Sequence, residues 1–158
     1  MDNQSIYIGI IITAICILPL IILWWKRQKR DNLIKDEIIK QAQKEDCKLN
    51  KISVNSAMAI GVDEAKKKVF FYKKEKDKAI HLKADLSNIS NCRAIKSQDI
   101  TDGENTVDHL DLAFNYKDKS KESLIFNFFG KNNILALDDE FILLTEWEEY
   151  LNSLIKNK

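Results

Sequence analysis

Three regimes of apolar patterning divide the chain. From Ile6 to Trp25 there are 20 consecutive residues without a charge, interrupted only by Gly9, Thr13 and Pro19. From Asp31 to about Lys48 the apolar positions take a helical period, with Ile34, Ile38 and Ala42 four apart on one face, joined by Leu33 and Ile39. From Ile52 the period falls to two. Met58, Ile60 and Val62 alternate with Ala57, Ala59 and Gly61, Asp63 to Lys66 reads as a polar turn, and Val69 to Tyr72 follows as a strand. Ile80 and Leu82 alternate with His81 and Lys83, and Cys92, Ala94 and Ile95 lie in a further extended stretch. Ser97 to Thr106, with Asp102-Gly103, reads as a loop. Leu110, Leu112, Phe114 and Tyr116 then mark one face of a strand, Leu124 to Phe129 another, and Ile134-Leu135 a short last one. The C-terminal segment returns to the helical period through Leu144, Trp147, Leu151 and Leu154, with Ile155 widening the stripe. Asp138 or Asp139 offers an N-cap, and Thr145 with Glu148 a second start.

Six or seven antiparallel strands followed by one amphipathic helix predict an α+β fold. The strands form a β-sandwich or partly open barrel, and the helix covers one end. The pattern divides the chain into 1–30, an N-terminal tail and single apolar helix; 31–50, a helical linker; and 51–158, the β-rich domain.

The first regime predicts a membrane anchor. Twenty helical residues span roughly 30 Å, the thickness of a bilayer hydrocarbon core. Trp24 and Trp25 suit the lipid–water interface, and Lys26, Arg27, Lys29 and Arg30 follow at once. The positive-inside rule then predicts a single-pass protein of the plasma (inner) membrane, N-terminus outside and C-terminal domain cytoplasmic. A cleaved signal peptide fits less well, because the region before the run is not basic and two tryptophans stand where small residues are needed. No GxxxG pair supports dimerisation through this helix.

Composition narrows the function. The formal charge is only +1, yet charge is segregated. Lys26 to Lys51 holds nine basic against five acidic residues, Glu64 to Lys83 eight against three, and Ala84 to Lys158 eight against fourteen. The acidic second half argues against nucleic acid as a partner. Three widely spaced cysteines form no disulfide framework and suit a reducing compartment.

The hairpin AMAIGVDEAKKKVFFYKK, the segment AIHLKADLSNISNCRAI and a C-terminal helix with Trp147 near its middle resemble a pleckstrin-homology-like domain over Ile52 to Ile155. The resemblance implies a binding module, with Trp147 as its structural core tryptophan. It also implies that Lys66, Lys67, Lys68, Lys73 and Lys74 form a basic hairpin able to face anionic lipid, although no arginine accompanies them. A solvated lysine-rich hairpin end accounts for the same residues.

No catalytic constellation stands out. His81 and His109 have no second histidine or cysteine at ligand spacing, so no metal is expected. There is no phosphate-binding glycine loop and no nucleophile elbow, so neither a cofactor nor an enzymatic activity is expected. The expected function is a membrane-tethered module that holds a partner protein. An accessory subunit of a larger membrane complex and a sensor of anionic lipid are the alternatives.

Overall fold

The computed structural model describes residues 3–55, 57–75, 78–101, 104–130 and 137–156; within these, the side chains of 3–12, 14, 98–101, 104–108, 129–130 and 137–140 are outside the description. One helix, α1, runs from Asn3 to Gln43 without a break. Its last turn closes through Lys44 N–H to the Lys40 carbonyl (3.2 Å) and Cys47 N–H to the Ala42 carbonyl (3.0 Å). Asp46 carries the left-handed backbone (φ 54°) that ends the helix.

Four strands follow in a meander: β1 (Lys51–Asn55), β2 (Met58–Asp63), β3 (Lys68–Glu75) and β4 (Lys78–Asp85), each antiparallel to the next. A short 3-10 turn, Leu86–Asn88, leads to a second antiparallel sheet of β5 (Ile89–Thr101), β6 (Glu104–Tyr116) and β7 (Leu124–Gly130). Helix α2 (Leu137–Lys156) completes an α+β fold of two separate sheets rather than a closed barrel.

The alternation read from the sequence explains the main core. Met58, Ile60 and Val62 of β2 and Val69 and Phe71 of β3 point between the sheets, where they meet Leu110, Leu112 and Phe114 of β6 and Phe126 and Phe128 of β7. Phe71 stacks on Phe126 with ring centroids 5.1 Å apart, and Phe126 meets Phe114 at 4.6 Å. Leu144, Trp147 and Leu151 of α2 close this core with the stripe expected of them. Burying side chains of this size contributes about 1.5–3 kcal/mol each.

The opposite face of the first sheet is also covered. Ile34, Ile38 and Ala42 of α1, with Cys47 just beyond it, pack on Ala59, Phe70 and Tyr72 in a second core. Residues 31–50, expected as a linker, are therefore part of the folded unit. Small residues on that face of β2, Ala59 and Gly61, let the helix and the loop after it approach closely. A Cβ on Gly61 would stand only 2.9 Å from Leu49 Cδ1. Leu33 is exposed, contrary to its assignment to the buried face.

The expected membrane span and the topology drawn from it are corrected. Among the described residues no helix is long and apolar enough to cross a membrane. Part of the run, residues 6–12 and 14, has side chains outside the description. The described apolar stretch, Ile15 to Trp25, amounts to about 16 Å of helix, roughly half a hydrocarbon core. It is solvent-exposed and passes directly into the charged turn at Lys26. The localisation in the plasma membrane, N-terminus outside and domain cytoplasmic, falls with it.

The loop expected from Ser97 to Thr106 is instead largely strand. Gln98↔Val107, Asp99↔Thr106, Ile100↔Asn105 and Thr101↔Glu104 continue the β5–β6 ladder past a register shift at Ser97/Gln98. Backbone pairing needs no apolar side chains, so polarity alone misread this hairpin. The strand expected at Ile134-Leu135 lies outside the described residues, as does the turn at Asp102-Gly103. Thr145 is interior to α2, where its hydroxyl donates to the Phe141 carbonyl (3.0 Å), so it does not start the helix. The Asp138 and Asp139 side chains are outside the description.

Candidate protein-docking edge of the second sheet

β5 is an edge strand, paired to β6 along one side only. Along its other side lies α2, and one contact fixes their relation. Asn152 Oδ1 accepts from the Cys92 N–H at 2.9 Å, and Asn152 Nδ2 donates to the Cys92 carbonyl at 2.8 Å. Both backbone groups of Cys92 therefore face outward, away from β6. In an antiparallel ladder the outward groups recur at every second residue. The next two outward positions are Ala94 and Lys96, and among the described residues no neighbour takes up their outward N–H and C=O groups.

Exposed apolar side chains flank the two faces of this stretch. Ile95 is 41% exposed, and Phe141 and Ile142 at the start of α2 are 38% and 56% exposed. Lys96 Nζ stands 5.0 Å from the Phe141 ring centroid, which ties the strand edge to the helix. Arg93 and Lys96 are both exposed cations on this strand. Open backbone groups, apolar side chains and cations thus lie side by side, the combination that accepts an added strand.

The five hairpin lysines do not form one surface. Lys66, Lys67 and Lys68 sit at the β2–β3 turn, whereas Lys73 and Lys74 lie five or six residues further along extended β3, about 17 Å away or more. Four of them are engaged within the fold. Lys66 Nζ donates to the Asp46 carbonyl (2.7 Å) and Lys67 Nζ to the Leu154 carbonyl (3.3 Å). Lys68 Nζ pairs with Glu45 at 2.7 Å. Lys73 is only 4% exposed, and its Nζ meets Asn127 Oδ1 at 2.5 Å and Glu75 at 2.9 Å. Lys74 is exposed. Their spacing in sequence was misleading because an eight-residue strand separates its two ends.

Glu45 also takes Lys83 of β4, so one carboxylate after α1 holds two strands. Hydrogen bonds from the Lys68 and Lys83 ammonium groups hold its pKa down at about 2. Asp63 accepts from the backbone N–H of Lys48 (2.8 Å) and Lys66 (2.9 Å). These carboxylates fasten α1 and its following loop to the sheet.

The remaining sequence candidates are dispersed. Trp24, Trp25, Lys26, Arg27, Lys29 and Arg30 lie exposed along α1. Trp147 is fully buried, and its Nε1–H donates to Ser53 Oγ at 3.1 Å. Burial pushes the Cys92 thiol up to about 12 and raises that of Cys47, so neither is poised as a thiolate nucleophile. His81 meets Tyr72 at a tilt, with ring centroids 5.0 Å apart. Among the described residues no group of three histidine, cysteine or acidic side chains is arranged to hold a metal ion.

Sequence reading missed Asn152, Ala94, Phe141 and Ile142. Only Ile142, off the apolar stripe of α2, carried a signal. Comparison of the chain with family models, with curated proteins and with solved structures finds no match in any of the three.

Proposed function

We propose that the chain is a non-catalytic binding module of pleckstrin-homology-like architecture, holding a partner protein along the β5 edge. The four-plus-three strand order and the C-terminal helix with a buried tryptophan support the architecture. The observation that carries the function is the open backbone at Ala94 and Lys96, with exposed Ile95 on one face of the strand and Phe141 of α2 against Lys96 on the other. Main-chain pairing supplies affinity in such docking, and the flanking side chains supply selectivity.

Ala94→Pro tests this reading. It deletes an outward donor that the β5–β6 ladder does not use, so the sheet tolerates it better than an inward site would. Affinity capture by the full chain, with mass spectrometry, is run beside capture by the variant. The expected result is a stoichiometric partner lost with Ala94→Pro while the melting curve keeps its shape. A partner retained undiminished by the variant overturns docking at this edge.

A second reading rests on α1, whose residues from Ile15 to Trp25 are exposed and almost wholly apolar. On that reading the helix makes the main contact within a larger complex. Replacing residues 6–25 with an unrelated helical segment abolishes association in that case and leaves it intact if the β5 edge is the contact.

A further inference from the structure

Asn152 does more than join α2 to β5. A side-chain amide presents the same N–H and C=O pair as a peptide group, and Asn152 uses both on Cys92 at ordinary hydrogen-bond lengths. It occupies the place that one residue of an added strand would take. A strand approaching the β5 edge finds Cys92 already paired and the helix lying beyond it. Two positions further on, Ala94 and Lys96 are open.

The side chains around the open stretch are cationic. Lys96 shares its side of the strand with Cys92 and Ala94, while Arg93 belongs to the other face with Ile95. Among the described residues neither cation is held in an ion pair. Asp111, across from Ile95, already accepts from Asn127 Nδ2 at 2.7 Å. Glu148, one turn before Asn152 on the side toward Phe141, lies near the Cys92 thiol.

We infer that Asn152 is a stop that ends strand addition at Cys92, and that the occupant of the edge beyond it is an extended acidic segment of a partner protein. The inference rests on the docking reading above and adds its register and chemistry. An added strand pairs from Ala94 onward, one face bringing carboxylates to Lys96 and the other laying apolar side chains over Ile95.

The test uses the full chain and two synthetic ten-residue peptides, one alternating valine with glutamate and the other valine with lysine. Backbone amide resonances report where each binds. The valine–glutamate peptide is expected to shift the Ala94 and Lys96 amides, leave Cys92 unmoved, and bind at least about tenfold tighter than its lysine counterpart. Lys96→Glu, a surface change that leaves the helix contact intact, is expected to reverse that preference. In Asn152→Ala the Cys92 amide joins the shifted set; Asn152→Leu, which removes both amide groups while keeping the side-chain volume, serves where the alanine variant does not fold. Equal binding of the two peptides overturns the acidic preference while leaving edge docking in place. A shifted Cys92 amide in the unaltered chain overturns the stop. If neither peptide moves Ala94 or Lys96, the inference and the docking reading fall together.

Discussion

Trp147 Nε1–H donates to Ser53 Oγ at 3.1 Å, joining the last helix to the first strand across 94 positions of sequence. The indole also meets Tyr150 edge-on at 5.9 Å, and Lys51 Nζ lies over both rings. This one side chain therefore couples α2, β1 and the inter-sheet core. Trp147→Phe removes the hydrogen bond and part of the volume, with an expected loss of about 1–3 kcal/mol. Trp147→Ala leaves a cavity and is expected to cost about 3–5 kcal/mol. Urea titration followed by circular dichroism measures both; a Trp147→Ala midpoint equal to that of the unaltered chain contradicts the coupling.

Glu45 makes stability depend on acid. Its pKa is about 2 in the folded chain, below the ordinary carboxylate value, because Lys68 and Lys83 bond to the charged form. A lowered pKa contributes stability that is complete above about pH 4.3 and is lost as pH falls through about 2. With the group partly open to solvent, the contribution is on the order of 1–2 kcal/mol. Glu45→Gln is expected to flatten this part of the stability–pH curve and to weaken the dependence on salt. Urea midpoints measured between those two pH values decide it, and an unchanged curve in the variant counts against the role of Glu45.

Gly61 has room for one carbon if Leu49 yields. A Cβ there would meet Leu49 Cδ1 at 2.9 Å and the Lys51 carbonyl at 3.4 Å. Leu49 offers only the end of a flexible side chain, and alanine lowers the entropy of the unfolded chain, so Gly61→Ala is expected to change stability by less than about 1 kcal/mol. Gly61→Val must displace Leu49 outright and is expected to cost about 1–3 kcal/mol. Thermal melts of the two variants side by side separate these outcomes.

The three cysteines should differ sharply toward a thiol reagent. Cys16 is exposed, whereas Cys47 and Cys92 are buried, and burial pushes Cys92 up to about 12. In the native chain at about pH 8, one thiol is expected to react promptly and two only as fast as the fold opens. Mass spectrometry of labelled peptides assigns them; fast labelling of Cys92 would contradict its place between β5 and α2.

Much of the architecture was legible in local pattern. The two-residue period of Leu110 to Tyr116, the paired signals around β2 and β3, and the stripe Leu144–Trp147–Leu151 each correspond to an element with its apolar face buried. Periodicity succeeds there because it records which face of an element must leave water. It fails where polar backbone pairs without apolar help, as in the β5–β6 hairpin from Gln98 to Val107. It also fails where residues close in sequence point apart, as Lys68 and Lys73 do at the two ends of one strand.

Sequence alone determined most of the elements in their order, the core-facing positions of β2 and β6, and the place of Trp147 in the apolar stripe of α2. Only tertiary structure decided that α1 covers the outer face of the first sheet, that Glu45 ties two strands, and that Asn152 closes β5 at Cys92 while leaving Ala94 and Lys96 open. The physical reason is one of range. Side-chain spacing dictates that a face be buried, but the neighbour that buries it is set by chain reversals that bring together residues such as Cys92 and Asn152, 60 positions apart.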